Sequence, residues 1–331
     1  MRIALVLGAG GHPGYPFQLA VLGAVERRLG IDLASSELVV GTSVGAMTGM
    51  LLRAGFSVPD LLDVAHGREP RPEAAHLLHD VLDPPGQLPP ALPAWQPPAL
   101  SSTGPRAALQ LLRGAAGVRR HTLPAAAGSL LPRGRACHAV LGQAADSLYA
   151  DQAWPDLATW VVAMRTRDGH RAVFGRDRVA HTVGEAIRAS SAIPGWFRPT
   201  RFGGDSYVDG GIRSTTNADL VAEFDGDLDL AIVVPPLATA DTWTPVVDAP
   251  LRWLVNAQVR HEVEAVEAAG IPTVVASPPA EVVRAMQGDP IRMSDERVAD
   301  VLDVTAAWAD TWAADTLPVV SASPAMAGRI T

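Results

Sequence analysis

The sequence predicts an α/β protein with a mostly parallel central sheet, built as one domain over residues 1–331. Three observations predict this class. Several short runs are continuously apolar, which is typical of strands buried on both faces of a parallel sheet. Helical segments alternate with the first of these runs. The composition, 48% hydrophobic and 19% charged, is that of a globular chain that can bury a large core.

The first elements alternate strand and helix. RIALVLG predicts a buried strand at 2–8, and a glycine-rich turn follows it to Gly14. YPFQLAVLGAVERRLG predicts a helix that ends near Gly30. ELVV predicts a second strand, and SVGAMTGMLLRAG predicts a second helix that stops near Gly55. This order of elements favours a parallel sheet.

Residues from about 60 to 150 interrupt the alternation and are predicted to form an insertion. The stretch 83–105 is too rich in proline for a regular element. Helical pieces are predicted near 61–82 and 104–117. A long insertion on an α/β core is often a cap over a binding site, and a surface excursion without a binding role is the alternative.

Strand signals resume after the insertion. WVVAMRTRDG and HRAVFG predict two strands joined by a turn at Asp168 and Gly169, and GEAIRASSAIPGWF predicts a short helix that Pro194 ends. DLAIVVPP and IPTVVASP predict two more buried strands. PLRWLVNAQVRHEVEAVEAAG and SDERVADVLDVTAAWADTWA predict helices. No repeat or linker is visible, which favours one domain with an insertion.

The stretch VVGTSVGAM, residues 39–47, places Ser43 between Gly41 and Gly45 at a predicted junction of strand and helix. G-x-S-x-G at such a junction is typical of a nucleophile turn, because a tightly turned serine needs small neighbours. The hydroxyl then lies at a helix N-terminus, where the helix dipole favours developing negative charge. The alternative is that Ser43 only caps the helix.

The glycine-rich turn GAGGHPG, residues 8–14, is the candidate for an oxyanion site. It follows a buried strand and opens a helix, and glycines let backbone N–H groups point at one small anion. The carboxyl ends of parallel strands lie at one edge of a sheet. We therefore expect this turn and Ser43 to be neighbours.

Two nucleotide-binding interpretations compete for the same turn. A P-loop needs a lysine, and the chain contains none. A loose dinucleotide pattern matches Gly8, Gly10 and Gly14, with Asp32 roughly placed for a ribose. A nucleotide-binding oxidoreductase therefore stays open as a second hypothesis.

A serine nucleophile needs a base, and the sequence offers two kinds. His261 is the only histidine after His181, but it lies in a charged helical segment that is typical of a solvated face. YVDGG places Asp209 at the end of a short apolar step, followed by Gly210 and Gly211. A strand-end aspartate with two glycines behind it can approach another turn closely. A plain Asp-Gly turn is the alternative.

Three blocks in this order, GAGGHPG, GTSVG and ASSAIPGWF leading into YVDGG, resemble the patatin-like phospholipase family from the start of the chain to about residue 235. The resemblance implies a three-layer α/β/α fold and hydrolysis of acyl esters or phospholipids through an acyl-enzyme, without a metal or organic cofactor. It implies Ser43 as the nucleophile and Asp209 as the catalytic aspartate of a serine–aspartate dyad. Gly10 and Gly11 match the family's oxyanion glycines, and Gly8 and Gly14 shape their loop, where His12 is a further candidate for substrate binding. Gly41 and Gly45 belong to the nucleophile turn, and Gly210 and Gly211 follow the aspartate.

One position departs from the family pattern. The family's glycine turn usually carries an arginine or lysine just before its last glycine, where this chain has Pro13. Three interpretations stay open. His12 supplies part of the missing positive charge, the turn serves a narrower or different ester, or the protein is a weak or inactive lipid-binding relative.

Net charge and composition limit the kinds of partner and the location that we expect for the protein. The net charge is -8 and no long basic run is present, which argues against a nucleic-acid partner. A single cysteine fits a reducing compartment, and no stretch of about 18 strongly apolar residues predicts a membrane span. We expect a cytoplasmic protein with at most peripheral membrane contact. The sequence makes no prediction of oligomeric state.

Overall fold

The computed structural model describes residues 1–82, 130–179, 181–241 and 248–317, together with residues 99, 103, 109 and 246. Eight strands of these residues form one sheet in the order β5-β6-β3-β2-β1-β7-β8, with β4 paired to β3 off this path. The strands are β1 Ile3–Leu7, β2 Leu38–Thr42, β3 Ala158–Arg165, β4 Arg171–Phe174, β5 Thr200–Phe202, β6 Asp205–Asp209, β7 Leu230–Val234 and β8 Thr273–Val275.

Helices of the described residues connect and cover these strands. The α-helices are α1 Gly11–Leu29, α2 Val44–Arg53, α3 Val58–Ala65, α4 Pro72–Leu82, α5 Ala139–Leu148, α6 Val183–Ser190, α7 Ala249–Ala268, α8 Ala280–Ala285 and α9 Asp295–Thr316. Short 3₁₀ helices occupy Leu33–Ser35, Gly210–Ile212 and Ala218–Glu223. None of the described helices is both long enough and apolar enough to cross a membrane.

The predicted sheet type is confirmed. β1 pairs in parallel with β2 and β7, and the parallel part extends to β3 on one side and β8 on the other. β4, β5 and β6 are paired antiparallel. All five residues of β1 are buried, as a continuously apolar central strand requires. The pairing of β8 with β7 brings the C-terminal part into the same sheet, and the single-domain assignment stays a prediction.

The sheet is covered on both faces, which confirms the three-layer α/β/α expectation. Side chains alternate along β1, so that Ile3, Leu5 and Leu7 pack in a core with α1 and α9. Ala4 and Val6 face the opposite side, where they pack with the 3₁₀ helix Ala218–Glu223 and with α7. The two cores together remove the inner strands from water.

Two strands end against each other on one edge of β3. β3 pairs with β2 through its first five residues and with β6 through its last three. β4 overlaps both stretches, so it occupies the other edge of β3. β2 and β6 therefore run toward each other along one line, since one is parallel and the other antiparallel to β3. Their last residues, Thr42 and Asp209, pair with the consecutive residues Val162 and Ala163.

The first helix begins four residues earlier than the sequence predicts. α1 starts at Gly11 rather than Tyr15, so the second half of the glycine-rich turn is the first turn of a helix. The pattern misled because glycine and proline signal turns. The first amides of a helix have no intrahelical acceptor, so Pro13 costs no hydrogen bond there. The predicted end near Gly30 is confirmed, with φ 64° at that glycine.

The insertion is only partly covered by the described residues. The predicted helical piece at 61–82 is two helices, α3 and α4, because Gly67 adopts φ 70° and ends the first of them. The proline-rich stretch and the piece at 104–117 lie outside the described residues, apart from single positions. α5 was not predicted, and it packs closely on α6, since a Cβ at Gly184 of α6 would overlap the backbone carbonyl of Gly142. Close packing of these two helices therefore needs glycine at that point.

Candidate active site

Ser43 lies on a sharp turn between β2 and α2. Its backbone has φ 56° and ψ -121°, a conformation that residues with a β-carbon rarely adopt and that marks stored strain. Gly45 fits there because a Cβ would overlap the carbonyl of Leu7, and a Cβ at Gly41 would lie 2.5 Å from Cα of Ala46. Among the described residues the Ser43 side chain forms no capping hydrogen bond, so the helix-cap alternative is not supported.

A second serine, Ser190, stabilises the turn that carries Ser43. Ser190, at the end of α6, is fully buried, and its hydroxyl accepts the Ser43 N–H at 2.8 Å. The same hydroxyl donates to the carbonyl of Val162 at 2.7 Å. Ser190 thus joins the strained turn to β3. The Ser43 amide is used in this contact and is not available to a substrate.

We expect Ser190→Ala to lower the free energy of unfolding by about 1–3 kcal/mol, because it leaves a buried N–H and a buried C=O without partners. Urea denaturation measures this change. Ser191→Ala is the matched control, since the neighbouring Ser191 hydroxyl is also buried but has no hydrogen-bond partner among the described residues. Equal effects of the two substitutions would contradict the role assigned to Ser190.

Asp209 is brought to Ser43 by the meeting of β2 and β6. Its side chain is 5% exposed, and its Oδ1 accepts the Gly211 N–H at 2.7 Å. Burial raises the pKa of Asp209 to about 6, against the opposing effect of a side-chain hydrogen bond with Ser43 and the bond from Gly211. The two predicted dyad residues therefore lie in contact. A carboxylate with this pKa is a stronger base than an ordinary aspartate.

Two backbone amides of the glycine turn, those of Gly10 and Gly11, donate to none of the residues that the structure describes. The other amides of this turn donate to protein acceptors: Gly8 to Val234 O at 3.0 Å, Ala9 to Thr215 O at 2.7 Å, His12 to Pro290 O at 2.6 Å and Gly14 to Gly10 O at 3.2 Å. Gly11 adopts φ 61°, and a Cβ there would overlap the Pro290 carbonyl. The two remaining N–H groups are suited to bind an anion.

The three predicted turns are in contact. A Cβ at Gly211 would lie 3.3 Å from Cβ of Ala9, which joins the aspartate turn to the glycine turn. A Cβ at Gly14 would lie 3.2 Å from Cγ1 of Val44, which joins the glycine turn to the nucleophile turn. A Cβ at Gly210 would lie 3.2 Å from Cγ2 of Thr42. The chain segments that the sequence analysis selected therefore form one site.

His12 does not replace the missing arginine or lysine. Burial lowers the pKa of its ring, although the Ile291 backbone and nearby Asp289 oppose this shift. A histidine whose pKa is below the ordinary value is neutral at neutral pH. The first interpretation of the Pro13 departure is therefore not supported, and the other two remain.

A buried arginine, Arg252, supports the glycine-rich turn through the loop that packs against it. Arg252 of α7 is 3% exposed and donates to the carbonyls of Pro236 at 3.0 Å and Ala238 at 2.8 Å. The Pro236 ring packs against the turn, because a Cβ at Gly10 would lie 2.6 Å from its Cβ. Asp248 pairs with the guanidinium at 3.0 Å. Arg252 thereby supports the loop that backs the amides of Gly10 and Gly11.

The dinucleotide hypothesis fails on the position of its acidic residue. The glycine turn follows the carboxyl end of β1, whereas Asp32 precedes the amino end of β2. These ends lie at opposite edges of the sheet, because β1 and β2 are parallel. Asp32 instead caps the 3₁₀ helix Leu33–Ser35 by accepting the Ala34 N–H at 2.9 Å. It is not placed to bind a ribose beside the turn.

Four buried polar residues around the site were not predicted from the sequence: Ser190, Asn217, Arg252 and Glu262. His261 is exposed on α7, as its charged neighbours indicated, and pairs with Glu264 at 3.8 Å. A signal for Glu262 was present. Val255, Val259, Glu262 and Val266 follow the spacing of a buried helical stripe, and a carboxylate in such a stripe needs hydrogen-bonding partners.

Comparison with known proteins identifies the family. The family model described as patatin-like phospholipase matches residues 5–222, which is more than half of the chain. The chain belongs to the patatin-like phospholipase family. This membership supports lipid acyl hydrolysis as the class of activity and confirms the resemblance seen in the three sequence blocks. No curated protein sequence matches the chain.

Solved structures of low identity are also similar. VipD from Legionella pneumophila is 15% identical with a TM-score of 0.42, over 94% of this chain and 66% of VipD. The type III effector protein ExoU is 17% identical with a TM-score of 0.37, over 94% of this chain and 52% of ExoU. The complex of ExoU with SpcU from the type III secretion system of Pseudomonas aeruginosa gives 18% identity and a TM-score of 0.29, over 92% of this chain and 53% of the matched chain. The chain thus spans just under two thirds of VipD and about half of ExoU.

Proposed function

We propose that the protein hydrolyses acyl esters of lipids with a Ser43–Asp209 dyad, through an acyl-enzyme, as a phospholipase A or esterase. One observation carries the proposal. The serine on the strained turn after β2 and the buried aspartate at the end of β6 lie in contact, beside two amides that donate to none of the described residues. The cytoplasmic location and the peripheral membrane contact expected from the sequence remain predictions.

The first half of the reaction forms the acyl-enzyme. Asp209 accepts the proton of the Ser43 hydroxyl while Oγ attacks the ester carbonyl carbon. The carbonyl oxygen becomes an oxyanion, and the amides of Gly10 and Gly11 donate to it. Each such donor is worth about 3 kcal/mol in comparable enzymes. Collapse of this intermediate re-forms the carbonyl and breaks the bond from the acyl carbon to the alcohol oxygen, and Asp209 gives its proton to the leaving alcohol.

The second half releases the acid. Asp209 accepts a proton from a water molecule that attacks the acyl carbon, and the same amides stabilise the second oxyanion. Collapse of this intermediate breaks the bond to Oγ, and the proton returns from Asp209 to Ser43. A single carboxylate thus serves as base and acid in turn, so no histidine is needed.

We expect the rate of Ser43 labelling by a fluorophosphonate to rise with pH, with a midpoint near 6, and to level off above pH 7. The reason is that only the carboxylate form of Asp209 accepts the serine proton, and burial raises the pKa of this group to about 6. Labelling rates at a series of pH values, with the labelled peptide identified by mass spectrometry, measure this.

Two outcomes would count against the proposal. Labelling that is independent of pH between 5 and 8 would contradict Asp209 as the base. An absence of labelling in folded protein, with heat-denatured protein as the control, would favour the inactive lipid-binding relative. That alternative draws on Pro13 and on the neutral His12, which leave the glycine turn without a charged side chain.

A further inference from the structure

One chain segment, residues 213–218, joins the parts of the site. The carbonyl of Thr215 accepts the Ala9 N–H at 2.7 Å, directly before the Gly10 and Gly11 amides of the glycine turn. The Asn217 side chain donates to the hydroxyl of Thr42 at 3.0 Å, directly before Ser43. A shift of this segment would therefore move both the amides and the nucleophile turn.

The segment is in a conformation that needs support. Asn217 adopts φ 54° and ψ 34°, a left-handed conformation that is uncommon for residues other than glycine. Ser214 stabilises it, since its hydroxyl accepts the Asn217 N–H at 2.8 Å and its carbonyl accepts the Asn217 side-chain amide at 2.8 Å. Strain of this kind persists only where the surroundings over-determine it.

Helix α7 holds the segment and packs on the same face of the sheet as the 3₁₀ helix Ala218–Glu223 that follows it. Glu262 is 5% exposed, and its Oε2 accepts the Thr216 hydroxyl at 2.6 Å and the Ala218 N–H at 2.8 Å. One helical turn earlier, Gln258 donates to the carbonyl of Arg213 at 2.7 Å. The two side chains lie four residues apart, so both point from one face of α7.

The surroundings of Glu262 suit a hydrogen-bond acceptor. Burial raises its pKa, and nearby Asp219 adds to this, whereas hydrogen bonds from Ser214, Thr216 and Ala218 lower it. The Thr216 hydroxyl and the Ala218 N–H both donate to one oxygen, Oε2, and the Ser214 hydroxyl lies near the same carboxylate. A neutral amide in this place would turn N–H groups toward Ser214, whose hydroxyl already accepts two backbone amides. A glutamine therefore fits the volume but not the hydrogen bonds.

We propose that Glu262 is a positioning residue for the reaction: it holds residues 213–218 so that the glycine-turn amides and Ser43 lie correctly beside Asp209. Glu262 does not touch the reacting atoms. It lies outside residues 5–222, the part matched by the family model. The effect on kcat rests on the proposed function. The effect on amide hydrogen exchange in the segment does not depend on it.

Glu262→Gln is expected to lower kcat by about 10- to 100-fold, with KM changed less than about twofold, because small misplacements of reacting groups cost this much while substrate binding is retained. Glu264→Gln, on the same helix and exposed, is the matched control and is expected to keep the wild-type kcat. A Glu262→Gln enzyme with wild-type kcat would overturn the proposal. So would a loss that appears only in KM.

Amide hydrogen exchange gives an answer that does not need activity. The Ala9 amide is expected to exchange about tenfold faster or more in Glu262→Gln than in Glu264→Gln, because its acceptor Thr215 is less well held. Unchanged exchange overturns the inference. If Glu262→Gln does not fold, Thr216→Val is used, since it removes one donor to Glu262 and is expected to change the same two readouts in the same direction.

Failure of the proposed function is recognised separately. Wild-type protein and Ser43→Ala are assayed beside these variants. If wild-type activity does not depend on Ser43, the proposed function is wrong, and the exchange of the Ala9 amide still decides whether Glu262 holds the segment.

Discussion

Ser43→Ala is expected to lower kcat for p-nitrophenyl ester hydrolysis by about 10⁴-fold or more, since removal of a serine nucleophile costs up to about 10⁶-fold in comparable enzymes. The hydroxyl is the group that forms the acyl-enzyme in the proposed mechanism. Alanine keeps the β-carbon, so the positive φ of 56° and the packing of Gly41 and Gly45 are retained. Steady-state rates, with circular dichroism to show an unchanged fold, measure the effect.

Ser191→Ala is again the matched control, because it removes a buried serine hydroxyl close in the fold that the mechanism does not use. It is expected to keep wild-type activity. Retention of more than a tenth of the activity in Ser43→Ala would mean that another group attacks the ester. Fluorophosphonate labelling of Ser43→Ala at a different residue would identify that group.

The sequence predicted the parts of the fold that depend on local signals. The continuous apolar runs identified β1, β2 and β7, since strands covered on both faces have no polar side to reveal alternation. β8 was also predicted as a buried strand, but its three residues are only half-buried because it lies at the edge of the sheet. The glycines around Ser43 predicted the tight turn, since no larger residue fits there. Helix α5 was missed although Leu141, Ala145 and Leu148 lie at helical spacing and pack against a core, because Gly142 lowers the helix propensity of this short segment.

The contact between Ser43 and Asp209 could not be derived from periodicity. It depends on the register of two distant strands that pair with successive parts of β3 and end against each other. No local pattern encodes that register, and only the family resemblance placed the two residues together. For Glu262, by contrast, a local pattern was present in the sequence. Its spacing from Val259 and Val266 indicated a buried position, but the neighbouring charged residues suggested a solvated helix face.

Asp209→Asn is expected to abolish activity and also to stabilise the protein above pH 6. The amide cannot accept the serine proton, so kcat falls by about 10³-fold or more. The side-chain oxygen that remains still accepts the Gly211 N–H. The stability gain follows from burial, which raises the pKa of Asp209 to about 6, whereas an unfolded aspartate has a pKa of about 3.9.

The sign follows from proton linkage. Between about pH 4 and 6 the folded protein binds a proton at Asp209 that the unfolded chain does not, so the free energy of unfolding falls as pH rises. Each unit of pKa difference between the folded and unfolded states corresponds to about 1.4 kcal/mol. Through Asp209 alone, the wild type is therefore less stable above pH 6 than at pH 4 by about 3 kcal/mol. The amide introduced by Asp209→Asn carries no charge at any pH, so the variant avoids this loss.

Urea denaturation of wild type and Asp209→Asn at pH 4 and pH 8 tests the prediction. The variant should be more stable by up to about 3 kcal/mol at pH 8 and nearly equal to wild type at pH 4. Asp205→Asn is the control on the same strand, because Asp205 is partly exposed and pairs with Arg165 at 3.5 Å and Arg167 at 3.2 Å. It should bring no gain. If Asp209→Asn loses activity but is not more stable at pH 8, the site stabilises the charged carboxylate of Asp209. The prediction that burial raises the pKa of this base would then be wrong.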